Sequence, residues 1–580
     1  MPTRAVRATR HLLVCALWIA WSSTLRAQPI PRFSQFVDAW LDRFAYAHPS
    51  IAAGNGLHQA DSTLEDFSAW AITREVAALR KDLRLLARYR DADLTPDERV
   101  DRRILTGIID GWILDHETVQ TWRRNPMVYA AAVSDGIHDL MIKASAPAPA
   151  RMRAARRKLS RVPALLRAAR ANLRNPPAIF ARRGADMFAG AAAMLRTDLA
   201  LAFPAPSAER TALLAVADTM APLLAAYADE LRVLATTATG DWRVGAEAVR
   251  LRYVSEELLD VPLDTLLMLG TRELRINQQR FADAARRIDS TAAPLAVWAT
   301  LVRQHPATGG LVDAAARSVD SLAAFVRTSG LVTLPTGTAP RIEAAKPFAI
   351  GFASMHAAPP LEVHPVESYY YITDANPAWD AARQAAWLER FNYYSLTNTS
   401  AHEVMPGHWV HAMYMRQTPG KIRRIWIGLN PFPQPSSGQD GWAHYAEQLV
   451  VDAGYAGGDP RYVMAQASDA LTRIVRMIAG IRMHRGEWSI ADAQAAFERE
   501  AYVPAAAALR EAERSTYDPT NGGYFLGKLA LLTLRDNVRA RDGDRFDLRA
   551  FHERLLRHGI APWWAHRALL LPGDRRPVLR

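Results

Sequence analysis

His402 and His408 stand six residues apart, with Glu403 beside the first and Pro406-Gly407 between them. Two imidazoles and a carboxylate in so short a stretch are the donors and the general base of a zinc hydrolase. The helical form of such a site spaces its histidines four apart, so that both face one side of a single helix. Here Pro406 fills that fourth place. On a continuous helix His408 would point about 240° round from His402. Pro406 has no amide to offer the carbonyl of His402, and its ring crowds that turn. Gly407 tolerates dihedrals that other residues avoid. The pair is therefore expected to open the helix and swing His408 back beside His402. His411, three residues on, is a substitute or additional ligand.

A catalytic zinc ion takes three protein ligands and keeps one position open for water. The third is sought in Asp440-Gly441-Trp442-Ala443-His444-Tyr445-Ala446-Glu447. Positions 440, 444, 447 and 451 share one helical face, and Ser436 and Ser437 offer a cap at its start. Asp440 is preferred, with Glu447 the alternative. Glu403 then accepts a proton from the metal-activated water and passes it to the leaving amine. Tyr524 or His484 is expected to donate to the oxyanion. Arg535 is a candidate for a substrate carboxylate. Tyr371, in a run of three tyrosines, is a candidate wall of the groove. A strand edge near Gly351-Phe352-Ala353-Ser354-Met355 offers pairing to an extended peptide.

These residues need a scaffold, and most of the chain reads as helix. Apolar residues recur at three- and four-residue spacing over 33–47, 73–89, 96–118, 151–172 and 206–237. The pattern repeats over 262–289 and 309–328, then 377–394, 400–416, 439–453, 460–484, 490–500, 504–515 and 524–540. Residues 331–334, 341–344, 348–355 and 368–373 read as short strands. The fold expected is mainly α, a large helical assembly with one small sheet before the His-Glu motif. Residues 28–240 read as an N-terminal helical scaffold and 241–580 as the catalytic region.

The first 27 residues read as a secretory signal peptide. Arg4, Arg7 and Arg10 precede the apolar run Leu12–Trp21, which is too short to span a bilayer, and cleavage is expected near Ala27. The mature protein is then periplasmic or secreted. No later segment was expected to insert stably in a membrane. Cys15 is the only cysteine, so disulfides and thiolate ligands are excluded from the mature chain. The net charge of +12 falls to +8 without the four leader arginines. That excess is spread over helix faces and calls for no nucleic-acid partner.

The motifs together resemble the bacterial "domain of unknown function 885" family. His402 to His408 is similar to its H-E-x-x-P-G-H signature, and Asp440 to Glu447 to its E-G-W-A-x-Y-A-E segment. Further likeness lies in Tyr369 to Thr373, Asn376 to Trp379, Phe391-Asn392, Gly522 to Arg535 and Phe551 to Leu556. Members are regarded as candidate zinc metallopeptidases of gluzincin type, which implies one zinc ion and a clamshell-like helical fold. In gluzincin aminopeptidases the first Glu of the related E-G-F-A-x-Y block binds zinc. Here that position is Asp440, one methylene shorter. The expectation is an exported zinc-dependent peptidase acting on peptides or small peptide-like amides. Its rivals are a helical binding protein with a degenerate metal site and a metal hydrolase of non-peptide amides or esters. Substrate, mode of attack and oligomeric state are not specified by these residues.

Overall fold

The computed structural model describes residues 30–579 except 338, 346–352, 365 and 426–435. The expected leader and the first part of the expected 348–355 strand lie outside the described residues. The fold is mainly α, with one small three-stranded sheet.

Several helices begin where cap chemistry puts them. Thr95 and Glu98 form a capping box, with Pro96 in the first turn of Pro96–Leu114. The helix expected over 151–172 is two helices, Ala148–Leu159 and Val162–Asn172. Pro163 explains the break, because it lacks the amide a continuous helix would need and suits a first turn. Residues 331–334 form no strand. Leu331 and Val332 are buried, and the carbonyl of Leu331 accepts a hydrogen bond from His552 Nδ1 at 2.7 Å.

Seven helices and the sheet surround the motif: α1 (Leu311–Ser329), α2 (Tyr393–Glu403), α3 (His408–Met415), α4 (Ser436–Asp452), α5 (Pro460–His484), α6 (Ala505–Ser515) and α7 (Gly523–Asp542). The strands are β1 (Arg341–Ala344), β2 (Ala353–His356) and β3 (Tyr369–Ile372). Their order is β1-β3-β2, with β1 parallel and β2 antiparallel to the central β3. One apolar core joins α1, β3, α2, α3, α4 and α7 through Leu322, Tyr370, Leu396, Val410, Trp442 and Leu531. A second, with its buried members within 64–231, packs the N-terminal helices on one another, with Tyr517 against it. A third mixes the two ends of the chain, with Trp40, Ile104 and Trp112 against Ile422, Ile425 and Ala565.

Helix Ala208–Thr237 is, by length and composition alone, long and apolar enough to cross a membrane. Its Leu213, Ala217, Leu224 and Leu231 are buried in the N-terminal core, as are Phe188 and Leu195 of the neighbouring Ala178–Ala202.

Candidate metal centre

The helix expected over 400–416 is interrupted at the Pro-Gly pair. Helix α2 ends at Glu403, and α3 begins at His408 with Gly407 as its N-cap. A Cβ at position 407 would fall 1.7 Å from the carbonyl oxygen of His402 and 2.4 Å from that of Ala401. Only glycine lets the chain turn back so closely over the end of α2. Trp442 Nε1 pins the turn by donating to the carbonyl of Pro406 at 2.9 Å. The turn brings the two imidazoles together, with ring centroids 4.6 Å apart and planes at 84°.

Helix α4 supplies the third donor. Asp440 Oδ1 lies 3.7 Å from His402 Nε2 and 3.5 Å from His408 Nε2. Donors bonded to one tetrahedral zinc at 2.0–2.1 Å sit about 3.3–3.4 Å apart. The three atoms are therefore spaced as ligands of a common ion, and two imidazoles with one carboxylate are a donor set that zinc accepts. Among the described residues this is the group able to hold a metal ion. Helix α4 also packs closely on α7, where Gly441 faces Gly527. A Cβ on Gly441 would lie 2.7 Å from the Gly527 Cα. Asp440, one methylene shorter than glutamate, reaches both imidazoles.

Glu447 lies two turns further along α4, and its carboxylate meets the other side of His402. Its Oε1 lies 2.7 Å from His402 Nδ1. It is fully buried, paired with Arg473 at 2.8 Å through Oε1 and 3.2 Å from His444 Nδ1 through Oε2. Burial would raise this carboxyl, but Arg473 and His444 hold it well below the usual range. It therefore accepts a proton from Nδ1 and leaves Nε2 of His402 turned toward Asp440. Burial alone would lower the His402 pKa, but Asp440 and Glu447 together hold it at about 9. Asp440 is likewise depressed by the two histidines against the effect of burial.

Glu403 reaches across to the sheet, where its Oε2 accepts the amide of Met355 at 2.9 Å. Oε1 has no partner among the described residues. Strand β2 is an edge strand, and this amide points away from β3 toward α2. Tyr524 stands in the first turn of α7, half-buried, donating to Asn521 Oδ1 and accepting from Arg514 Nη2, each at 3.2 Å. Burial raises its phenol pKa, and Asp440 lies within electrostatic reach.

Other candidates are held elsewhere. His484 is buried with both ring nitrogens on main chain, Nδ1 accepting from Val244 at 3.1 Å and Nε2 donating to Ser515 at 2.9 Å. That full use of the ring leaves no proton for an oxyanion. Arg535 contacts Tyr445 and Asp536, not the metal-binding group. Tyr371 is buried in the central strand, its ring against His356 and Tyr369, so it presents no wall. His411 is buried behind the cluster, with Nε2 at 3.3 Å from the Gly559 carbonyl, and burial lowers its pKa to about 4.

Comparison with known proteins gives the family of the chain. A model of the family described as "Bacterial protein of unknown function (DUF885)" matches residues 49–564. The chain belongs to this family. No curated protein matches this DUF885 chain. Among solved structures it resembles one from Shewanella oneidensis, provisionally described as a lipoprotein of unknown function. The TM-score is 0.77 at 21% identity, over 93% of this chain and 100% of the other. A second, from Colwellia psychrerythraea and likewise provisionally described as a lipoprotein, gives a TM-score of 0.70 at 14% identity, over 93% and 99%.

Sequence reasoning missed Arg473 of this DUF885 chain. On α5, Asp469, Arg473 and Arg476 are spaced as an ordinary solvated stripe would be, flanked by buried Leu471, Ile474 and Val475. Only the packing of α5 against α2 and α4 turns that stripe inward.

Proposed function

We propose that the protein is an exported zinc-dependent peptidase that hydrolyses peptides or small peptide-like amides. The convergence of His402 Nε2, His408 Nε2 and Asp440 Oδ1 carries this reading, with Glu403 next in sequence to the first. Zinc, if held there by His402, His408 and Asp440, would supply a Lewis acid and a water whose pKa is lowered to about 7. Glu403 accepts the proton of that water at Oε1 and returns it to the nitrogen of the scissile amide. Oε2, fixed on the Met355 amide, keeps the carboxylate oriented. Tyr524 donates a hydrogen bond from its hydroxyl to the carbonyl oxygen as charge builds there. Glu447 holds the His402 tautomer, and Arg473 holds Glu447.

Export is supported by the leader-like residues 1–27 and by the descriptions of the two structural relatives as lipoproteins. The test combines metal analysis with a peptide-library digest. About one zinc per chain is expected, with cleavage that Glu403→Gln abolishes while the zinc is retained. Zinc-loaded protein inert toward every peptide would contradict the proposal, and turnover of esters alone would favour the non-peptide hydrolase.

A further inference from the structure

Helix α5 places Asp469, Arg473 and Arg476 on one face, spaced by four and three residues. At one end Asn398 of α2 donates to Asp469, and Arg473 reaches Glu447. One turn on, Arg476 crosses to α6, where Nε and Nη2 bond the two oxygens of Glu511, each at 2.7 Å. Arg514 of α6 sends Nε and Nη2 to Asp518 at 3.3 and 3.2 Å, and Nη2 also to the Tyr524 hydroxyl at 3.2 Å. Tyr524 is the residue within electrostatic reach of Asp440. A hydrogen bond therefore links Tyr524 to Arg514, while Asp440 acts on Tyr524 through space.

Each guanidinium carries a donor beyond those used in its ion pair. The Nη1 ends of Arg476 and Arg514 have no hydrogen-bond partner among the described residues, and neither is sealed from solvent. Glu511 and Asp518 take the Nε and Nη2 sides and so fix each planar fork with its Nη1 end open. Arg476 and Arg514 are also close enough to repel each other, and Arg390 adds a third positive charge within reach of Arg476. Glu511 and Asp518 offset part of this charge, but the open donor ends of two neighbouring, fixed guanidiniums can receive an anion, and a guanidinium matches a planar carboxylate.

We propose that Arg476 and Arg514 seat the free C-terminal carboxylate of a short peptide, so that hydrolysis proceeds from the carboxyl end. This assignment rests on the peptidase reading above. It also moves the carboxylate-binding role from Arg535, which faces Tyr445, to the α5–α6 side of the centre.

Calorimetric titration tests it on the full chain carrying Glu403→Gln, so that binding is read without turnover. The ligands are one N-acetylated tripeptide as its free acid and as its C-terminal amide. The acid is expected to bind on the order of tenfold more tightly, as charge-assisted hydrogen bonds would give. Arg514→Gln and Arg476→Lys should each shrink that preference with bound zinc unchanged. Equal affinity for acid and amide would overturn the proposal, as would a preference that survives both substitutions. Should either variant fail to fold, zinc-depleted protein decides: the preference persists if the arginines hold the carboxylate and vanishes if the metal does. A preference for the acid without hydrolysis of any peptide would sink the peptidase reading and leave the seat. Equal binding and cleavage of acid and amide would do the reverse.

Discussion

At the scale of single residues, the imidazole of His402 is divided between two acids of one helix. Asp440 faces Nε2 and Glu447 holds Nδ1. Glu447→Gln keeps the shape but removes the charge that anchors the ring. Zinc affinity, read by competition with a chelator, should fall about ten- to a hundredfold; unchanged affinity would show that the Glu447 contact is merely structural. That His402, His408 and Asp440 come together was legible, because their chemistry and spacing leave few other uses. Which acid faces which nitrogen was not legible, because positions 440 and 447 lie on the same stripe. His484 misled because a histidine at a helix end before Arg485-Gly486 reads as available, whereas packing buries it on two main-chain partners.

At the scale of elements, the centre depends on a break between α2 and α3. Gly407→Ala would drive a methyl into the carbonyls of His402 and Ala401. It should destabilise the protein by several kcal/mol and separate the two imidazoles. Near-normal thermal stability together with intact zinc binding would contradict that. The sequence located Pro406 and Gly407 as a break, and it placed α5 from Pro460 to His484, where the structure has it. It did not show which face of α5 turns inward, because an internal Asp–Arg–Arg stripe and a solvated one have the same pattern. The Arg476–Glu511 pair gives that inward face a pH signature. Burial would raise the Glu511 carboxyl, but Arg476 outweighs it and holds the pKa at about 2, below the reference 4.5. The unfolded chain therefore binds more protons in that interval, and stability falls as pH drops through it. Its contribution is fully present above about pH 4.5 and lost toward about pH 2. The melting-temperature gap between wild type and Glu511→Gln should narrow over that range; a gap independent of pH would contradict the pairing.

At the scale of the molecule, an early helix is locked to a segment more than three hundred residues later. Arg423 is fully buried and pairs with Asp101 at 2.6 Å and with Asp97, both from helix Pro96–Leu114. Arg423→Ala would strand the buried Asp101 and should cost about 3–5 kcal/mol in urea unfolding; a loss below 1 kcal/mol would show that the apolar core shared by these segments suffices. The mainly helical architecture was legible from periodicity. This long-range lock was not, because charges more than three hundred residues apart carry no local pattern. The central claim is that His402, His408 and Asp440 hold one zinc ion. Anomalous diffraction from zinc-loaded crystals, collected on both sides of the zinc absorption edge, tests it most directly. The account predicts a single strong peak at bonding distance from His402 Nε2, His408 Nε2 and Asp440 Oδ1. No peak there, or zinc bound on another set of residues, would contradict it.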